Sequence, residues 1–150
     1  MKQFIILLLL IPALATQAQS GQQSKSVNFC FRQMTLPPEC NIESEYQIKT
    51  DQATLSWIYV ANDNMIFAAN GLMKKLETYP EFTRERTICY LLNHEVTAYR
   101  VSFKKDSVRC YQIIAYGNVN NQAVIVQLTV KKEPRSNEDI PPFAHAFIRF

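Results

Sequence analysis

Residues 110–130 read CYQIIAYGNVNNQAVIVQLTV. Val124, Val126, Leu128 and Val130 occupy alternate positions, with Gln127 and Thr129 between them. A period of two belongs to a strand, whose successive side chains point to opposite faces. Two such runs, Cys110 to Tyr116 and Ala123 to Val130, flank Gly117-Asn118-Val119-Asn120-Asn121. Glycine and asparagine tolerate the left-handed backbone that a tight turn requires, so the stretch predicts a β-hairpin.

The alternation extends upstream. Tyr99, Val101 and Phe103 point one way, and Arg100 and Ser102 the other. The runs Arg86 to Leu92 and Val96 to Phe103 flank Asn93-His94-Glu95, and Lys104-Lys105-Asp106-Ser107 forms the next break. Four successive strands with short turns predict an antiparallel meander. That order separates Cys89 from Cys110 by an intervening strand, or about 10 Å. A disulfide needs Cα atoms within about 7 Å, so a Cys89–Cys110 bond and the meander exclude one another.

Before the meander, Val27 to Phe31 alternates as a first strand, and Leu36-Pro37-Pro38-Glu39 interrupts it. Proline has no N–H for a ladder. Tyr46 to Lys49 is a weak strand; Ala53 to Val60 is a strong one, rich in β-branched and aromatic residues. Then the period changes. Met65, Ala68, Ala69, Leu72, Met73 and Leu76 recur at spacings of three and four, the apolar stripe of a helix. Asn62 or Asp63 is placed to cap it, and Pro80 ends it near Tyr79. Gly71 weakens its interior unless close packing on a sheet requires it. In the tail, Ser136-Asn137-Glu138-Asp139 is a helix-start signature of the capping-box type. Phe143, Phe147 and Phe150 follow at helical spacing. The expectation is an α+β domain over residues 27–150: an antiparallel meander sheet of six to seven strands packed by two helices.

This order of elements resembles the PsbP-like fold group, which includes Mog-type and DcrB-type exported proteins. The resemblance rests on Leu55-Ser56-Trp57-Ile58-Tyr59-Val60 leading into the helix from Met65 to Tyr79. The meander follows, with Tyr111 to Gly117 and Ala123 to Thr129, and the segment Asn137 to Phe150 stands in place of the group's closing helix. It implies a sandwich of sheet and helices with a non-enzymatic, partner-binding role, and it carries no specific functional residue.

The amino terminus bears on the compartment. Met1-Lys2 precedes an eight-residue apolar run, Phe4 to Ile11, followed by Pro12 and the small-x-small sites Ala13-Leu14-Ala15 and Thr16-Gln17-Ala18. This predicts a signal peptide over 1–18 and a polar leader over 19–26. The run is too short for a membrane span, which needs about 20 apolar residues. Export implies a periplasmic or secreted protein. It also makes Cys30, Cys40, Cys89 and Cys110 disulfide candidates: either Cys30–Cys40 closes a short loop over Pro37-Pro38, or Cys30 and Cys40 pair with Cys89 and Cys110 if the first strand lies across the sheet. Loss of Lys2 lowers the formal charge from +3 to +2.

The chain has 150 residues, 47% hydrophobic and 19% charged, enough apolar content for a packed core. Its basic pairs Lys74-Lys75, Lys104-Lys105 and Lys131-Lys132 are dispersed, which argues against nucleic acid. Three glycines leave little for a phosphate-binding loop, and no Cys or His spacing fits zinc. No cofactor is indicated. Two histidines give acid–base catalysis few candidates; His94 beside Glu95 is the better placed. Trp57, Tyr59 and Tyr116 are expected to line a concave sheet face left partly open by the helix. The reading is an exported, non-catalytic binding or accessory protein whose partner is another envelope or secreted protein. Its alternative is a periplasmic immunity protein or inhibitor of a toxin or hydrolase.

Overall fold

The computed structural model describes residues 24–150. The expected signal peptide lies outside them. In chain order the elements are β1 (Ser26–Phe29), β2 (Arg32–Thr35), β3 (Asn41–Ser44), β4 (Gln47–Lys49), β5 (Ala53–Tyr59) and α1 (Met65–Leu76). Then come β6 (Thr83–Leu91), β7 (His94–Lys105), β8 (Val108–Val119), β9 (Gln122–Val130) and β10 (Ile148–Arg149). Eight strands form one sheet in the order β10-β6-β7-β8-β9-β5-β4-β3, curled into a half-barrel, and β1 and β2 form a separate hairpin. Every pairing is antiparallel.

Four hairpins are closed by two-residue turns with both residues at positive φ: Cys30-Phe31, Leu92-Asn93, Asp106-Ser107 and Asn120-Asn121. A left-handed pair matches the twist of the flanking strands. None of these turns uses glycine. Gly117, expected in the last turn, lies inside β8 opposite Val124. A Cβ built there would stand 2.5 Å from Val96 Cγ1, so close cross-strand packing requires glycine at this position. Gly71 is the reverse case: a Cβ there would meet nothing, so close packing does not explain it.

The expected fold of six to seven strands packed by two helices is overturned. The main sheet has eight strands, and α1 is the single α-helix among the described residues. Its apolar stripe meets Val101, Ile114 and Ile125 on the convex face. Neither Asn62 nor Asp63 caps it through a side chain; both lie in a 3-10 turn, Asn62–Asn64, that leads into it. The expected second helix is a 3-10 turn, Pro142–Ala146, followed by β10. A helix this short closes few hydrogen bonds for the residues it fixes, and two prolines remove donors from its start. The tail gains more by burying Phe143, Phe147 and Ile148 and adding β10 to the edge of β6.

The larger core fills the concave side. There β1, β2 and the tail cover Leu55, Trp57, Ile113, Val124, Val126 and Leu128 of the sheet. At its centre Phe29 packs edge-on against Trp57 (5.3 Å) and Phe147 (5.4 Å). A capping box closes the start of the tail: Asp139 accepts from the backbone N–H of Ser136 at 3.2 Å, and Ser136 Oγ bonds back to it at 3.4 Å.

Candidate functional site

The residues nominated from sequence divide between two faces. Trp57, 2% exposed, lies in the concave core among Phe29, Tyr46 and Phe147. Tyr59 points the same way, and its Oη accepts the Cys30 N–H at 2.7 Å. The concave face is therefore filled, and the expectation that it forms an open lining is corrected. Tyr116 is on the opposite face. It pairs with Ile125, which pairs with Ile58 of β5, the residue between Trp57 and Tyr59. Tyr116 stacks on Tyr99 with centroids 6.4 Å apart, and burial followed by the neighbouring Tyr99 pushes its phenol pKa up.

His94 sits exposed at the start of β7, with Nε2 3.1 Å from Asn120 Oδ1. The Asn120 amide also donates to the Cys30 carbonyl at 3.0 Å. With the amide so oriented, His94 must carry its proton on Nε2. Asn120 thus joins His94 to Cys30, and Cys30 to Tyr59. This network fixes the β1–β2 turn on the sheet and contains no activated nucleophile, because burial pushes the Cys30 thiol up to about 11 despite a hydrogen bond with Tyr59. His145 bonds the Asn137 carbonyl at 2.8 Å and ties the tail to itself.

All four cysteines are free thiols, so the expected Cys30–Cys40 bridge is not formed. The two occupy different elements, a left-handed turn and the approach to β3, and both are buried. Cys89 pairs with Val96 and Cys110 with Phe103, so β7 lies between them. Cys89 faces the concave core, where burial outweighs nearby Arg100 and pushes its thiol up to about 12. Among the described residues, no three His, Cys, Asp or Glu gather to hold a metal ion, and no helix is long and apolar enough to cross a membrane.

The notable surface lies on the convex side, where α1 rests chiefly on β8 and β9. β6 is left uncovered there. Ile88 is 54% exposed and Tyr90 40%. On α1, Phe67 is 82% exposed and Ile66 60%. Register carries the band inward from the strand edge: Ile88 pairs with Thr97, and Thr97 with Tyr116. A groove lined by Phe67, Asn70, Gly71, Lys74 and Glu77 of α1 faces Arg84 of β6. The Arg84 guanidinium lies 5.5 Å from the Tyr99 ring centre, and its Nη1 is 3.3 Å from Glu77. The surface is thus apolar and aromatic at its centre and basic along β6.

Sequence reasoning did not nominate Ile88 or Phe67, though both carry a signal. Phe67 falls off the apolar stripe of its helix. Ile88 falls in phase with Arg84 and Arg86, on the polar side of its strand. An apolar residue out of phase with its element's buried face is a candidate contact. No protein-family model matches the chain, and no curated protein matches it in sequence.

Proposed function

We propose that the chain is an exported, non-catalytic binding or accessory protein that engages another envelope or secreted protein through the convex face of β6 and the adjoining flank of α1. The export half of this reading rests on the amino-terminal sequence. The binding half rests on one observation: Phe67 and Ile66 of α1 and Ile88 and Tyr90 of β6 are large exposed apolar or aromatic side chains, on two elements joined by the groove between Phe67 and Arg84. Scattered exposed apolar residues are ordinary, whereas a contiguous group rimmed by polar residues marks contact surfaces. Aromatic residues and arginine, both present here, are enriched where binding energy concentrates. The test is affinity capture from the producing cells with the native chain and with Ile88→Asp and Phe67→Ser. A partner held by the native chain and lost from both variants supports the reading. Equal recovery with all three refutes it.

A further inference from the structure

β6 is almost an edge strand. β10 covers only its end, where Ile148 pairs with Leu91 and Arg149 with Tyr90. From Thr83 to Cys89 the strand is paired on one side alone, with β7. The turn determines which backbone groups are left over. Leu92-Asn93 is a two-residue turn, so Leu91 and His94 exchange both hydrogen bonds, as do alternate residues back to Thr83. The Leu92 N–H bonds the Phe147 carbonyl on the other side, at 3.2 Å, which fixes the same phase. The N–H and C=O of Arg84, Arg86 and Ile88 therefore point away from β7, without a backbone partner among the described residues. The side chains of these three residues share the convex face.

Resting on the binding role above, we propose that this edge receives an extended strand from the partner protein. In that strand, acidic side chains face Arg84 and Arg86, and an apolar one faces Ile88. Addition of a strand at an open edge draws affinity from main-chain hydrogen bonds and specificity from alternate side chains. The charges select the occupant. Arg86 has no ion pair among the described residues, and the one ion pair of Arg84 there, with Glu77, is between exposed side chains. The intervening Glu85 is turned to the opposite face, where it pairs with Arg100. Two arginines in phase on one face thus meet the incoming strand, Arg86 without an ion pair among the described residues and Arg84 with only an exposed one. A second copy of the chain is a poor occupant. Antiparallel registers centred on Glu85 or on Arg86 set arginine against arginine, and like charges directly opposite are destabilising. Charged residues on an edge guard it against indiscriminate pairing; these guard it against copies of itself and admit an acidic strand.

The test uses the purified chain and two synthetic peptides, one with Val, Glu and Glu at successive alternate positions to face Ile88, Arg86 and Arg84, and one with Lys in place of each Glu. Amide hydrogen exchange is followed by NMR. The Glu peptide should slow exchange at Arg84, Arg86 and Ile88 and leave Glu85 and Thr87, already bonded to β7, little changed. The Lys peptide should do neither. Arg86→Pro removes an outward N–H without removing a bond to β7, and should weaken Glu-peptide binding about tenfold or more. If that variant does not fold, Arg84→Glu with Arg86→Glu should reverse the preference between peptides. Binding without slowed exchange at the three amides overturns strand addition and leaves side-chain docking on this face intact. No binding, or equal binding of both peptides, overturns the acidic-strand proposal. Loss of the binding role itself would appear separately, as undiminished partner capture by Ile88→Asp.

Discussion

Trp57 of β5 and Phe147 of the tail lie ring on ring, with centroids 6.1 Å apart and planes 27° apart. This contact explains why the carboxyl-terminal segment does not form a helix on the outside of the sheet. The tail closes the concave core, and Phe29 of the first hairpin packs against both rings. Phe147→Ala should cost about 3–5 kcal/mol, the usual penalty for emptying a buried aromatic site. Urea denaturation followed by Trp57 fluorescence measures it. A loss below about 1 kcal/mol would mean that the tail is not part of the core.

The two glycines of the folded part should respond with opposite signs. Gly117→Ala forces a methyl against Val96 and should cost about 1–3 kcal/mol. Gly71→Ala meets nothing and should stabilise by about 1 kcal/mol through helix propensity. Thermal denaturation of both variants checks the pair. Shortening the neighbour with Val96→Ala should relieve part of the Gly117→Ala cost in a double-mutant cycle.

Asp139 gives the tail an acid-sensitive fastening. A hydrogen bond from Lys132, then backbone bonds from Arg135 and Ser136, hold its carboxyl at about 2, against an ordinary 3.8. A depressed carboxyl contributes stability that is present above the ordinary value and is lost as pH falls through the folded one. The Arg135 and Ser136 amide signals of the folded protein should therefore shift with a midpoint at about pH 2. Asp139→Asn should abolish that transition. A transition that persists unchanged in the variant would assign it to another group.

Thiol reactivity separates Cys110 from the other cysteines. Burial raises the Cys30, Cys40 and Cys89 thiols, whereas Cys110 is partly exposed on the convex side. The thiolate is the reactive form, so the native protein should take up one alkylating group quickly, at Cys110, and the other three only on unfolding. Intact mass and peptide mapping read the result. A Cys30–Cys40 bridge found by mapping would contradict the free-thiol arrangement.

The meander was legible because Tyr99, Val101 and Phe103 in β7 and Val126, Leu128 and Val130 in β9 alternate with polar neighbours, although β8 and β9 bury residues on both faces. The stripe of α1 was legible for the matching reason at a period near four. β3 was not, because all four of its residues are exposed and leave no alternation to read. β10 has two residues, too few for any period. Phe143 and Phe147 are buried anchors, but a spacing of four residues does not distinguish a helix from a turn running into an edge strand. The misplaced lining had a different cause. Trp57 and Tyr59 share a face because they are two residues apart, but the face of Tyr116 depends on pairing across β9, which no single strand reveals. The proposed binding face was not legible because its apolar residues, such as Phe67 and Ile88, fall out of phase with the buried faces of their elements.

Site-specific photo-crosslinking in the producing cells tests the binding face most directly. A photoreactive residue at position 88 is compared with one at Val108, also an exposed apolar position but near the opposite end of the meander. The expected result is a discrete adduct with a partner protein from position 88, none from position 108, and loss of the adduct when Phe67→Ser is added. Equal labelling from both positions, or no adduct from position 88, would contradict the assignment of this face to a partner.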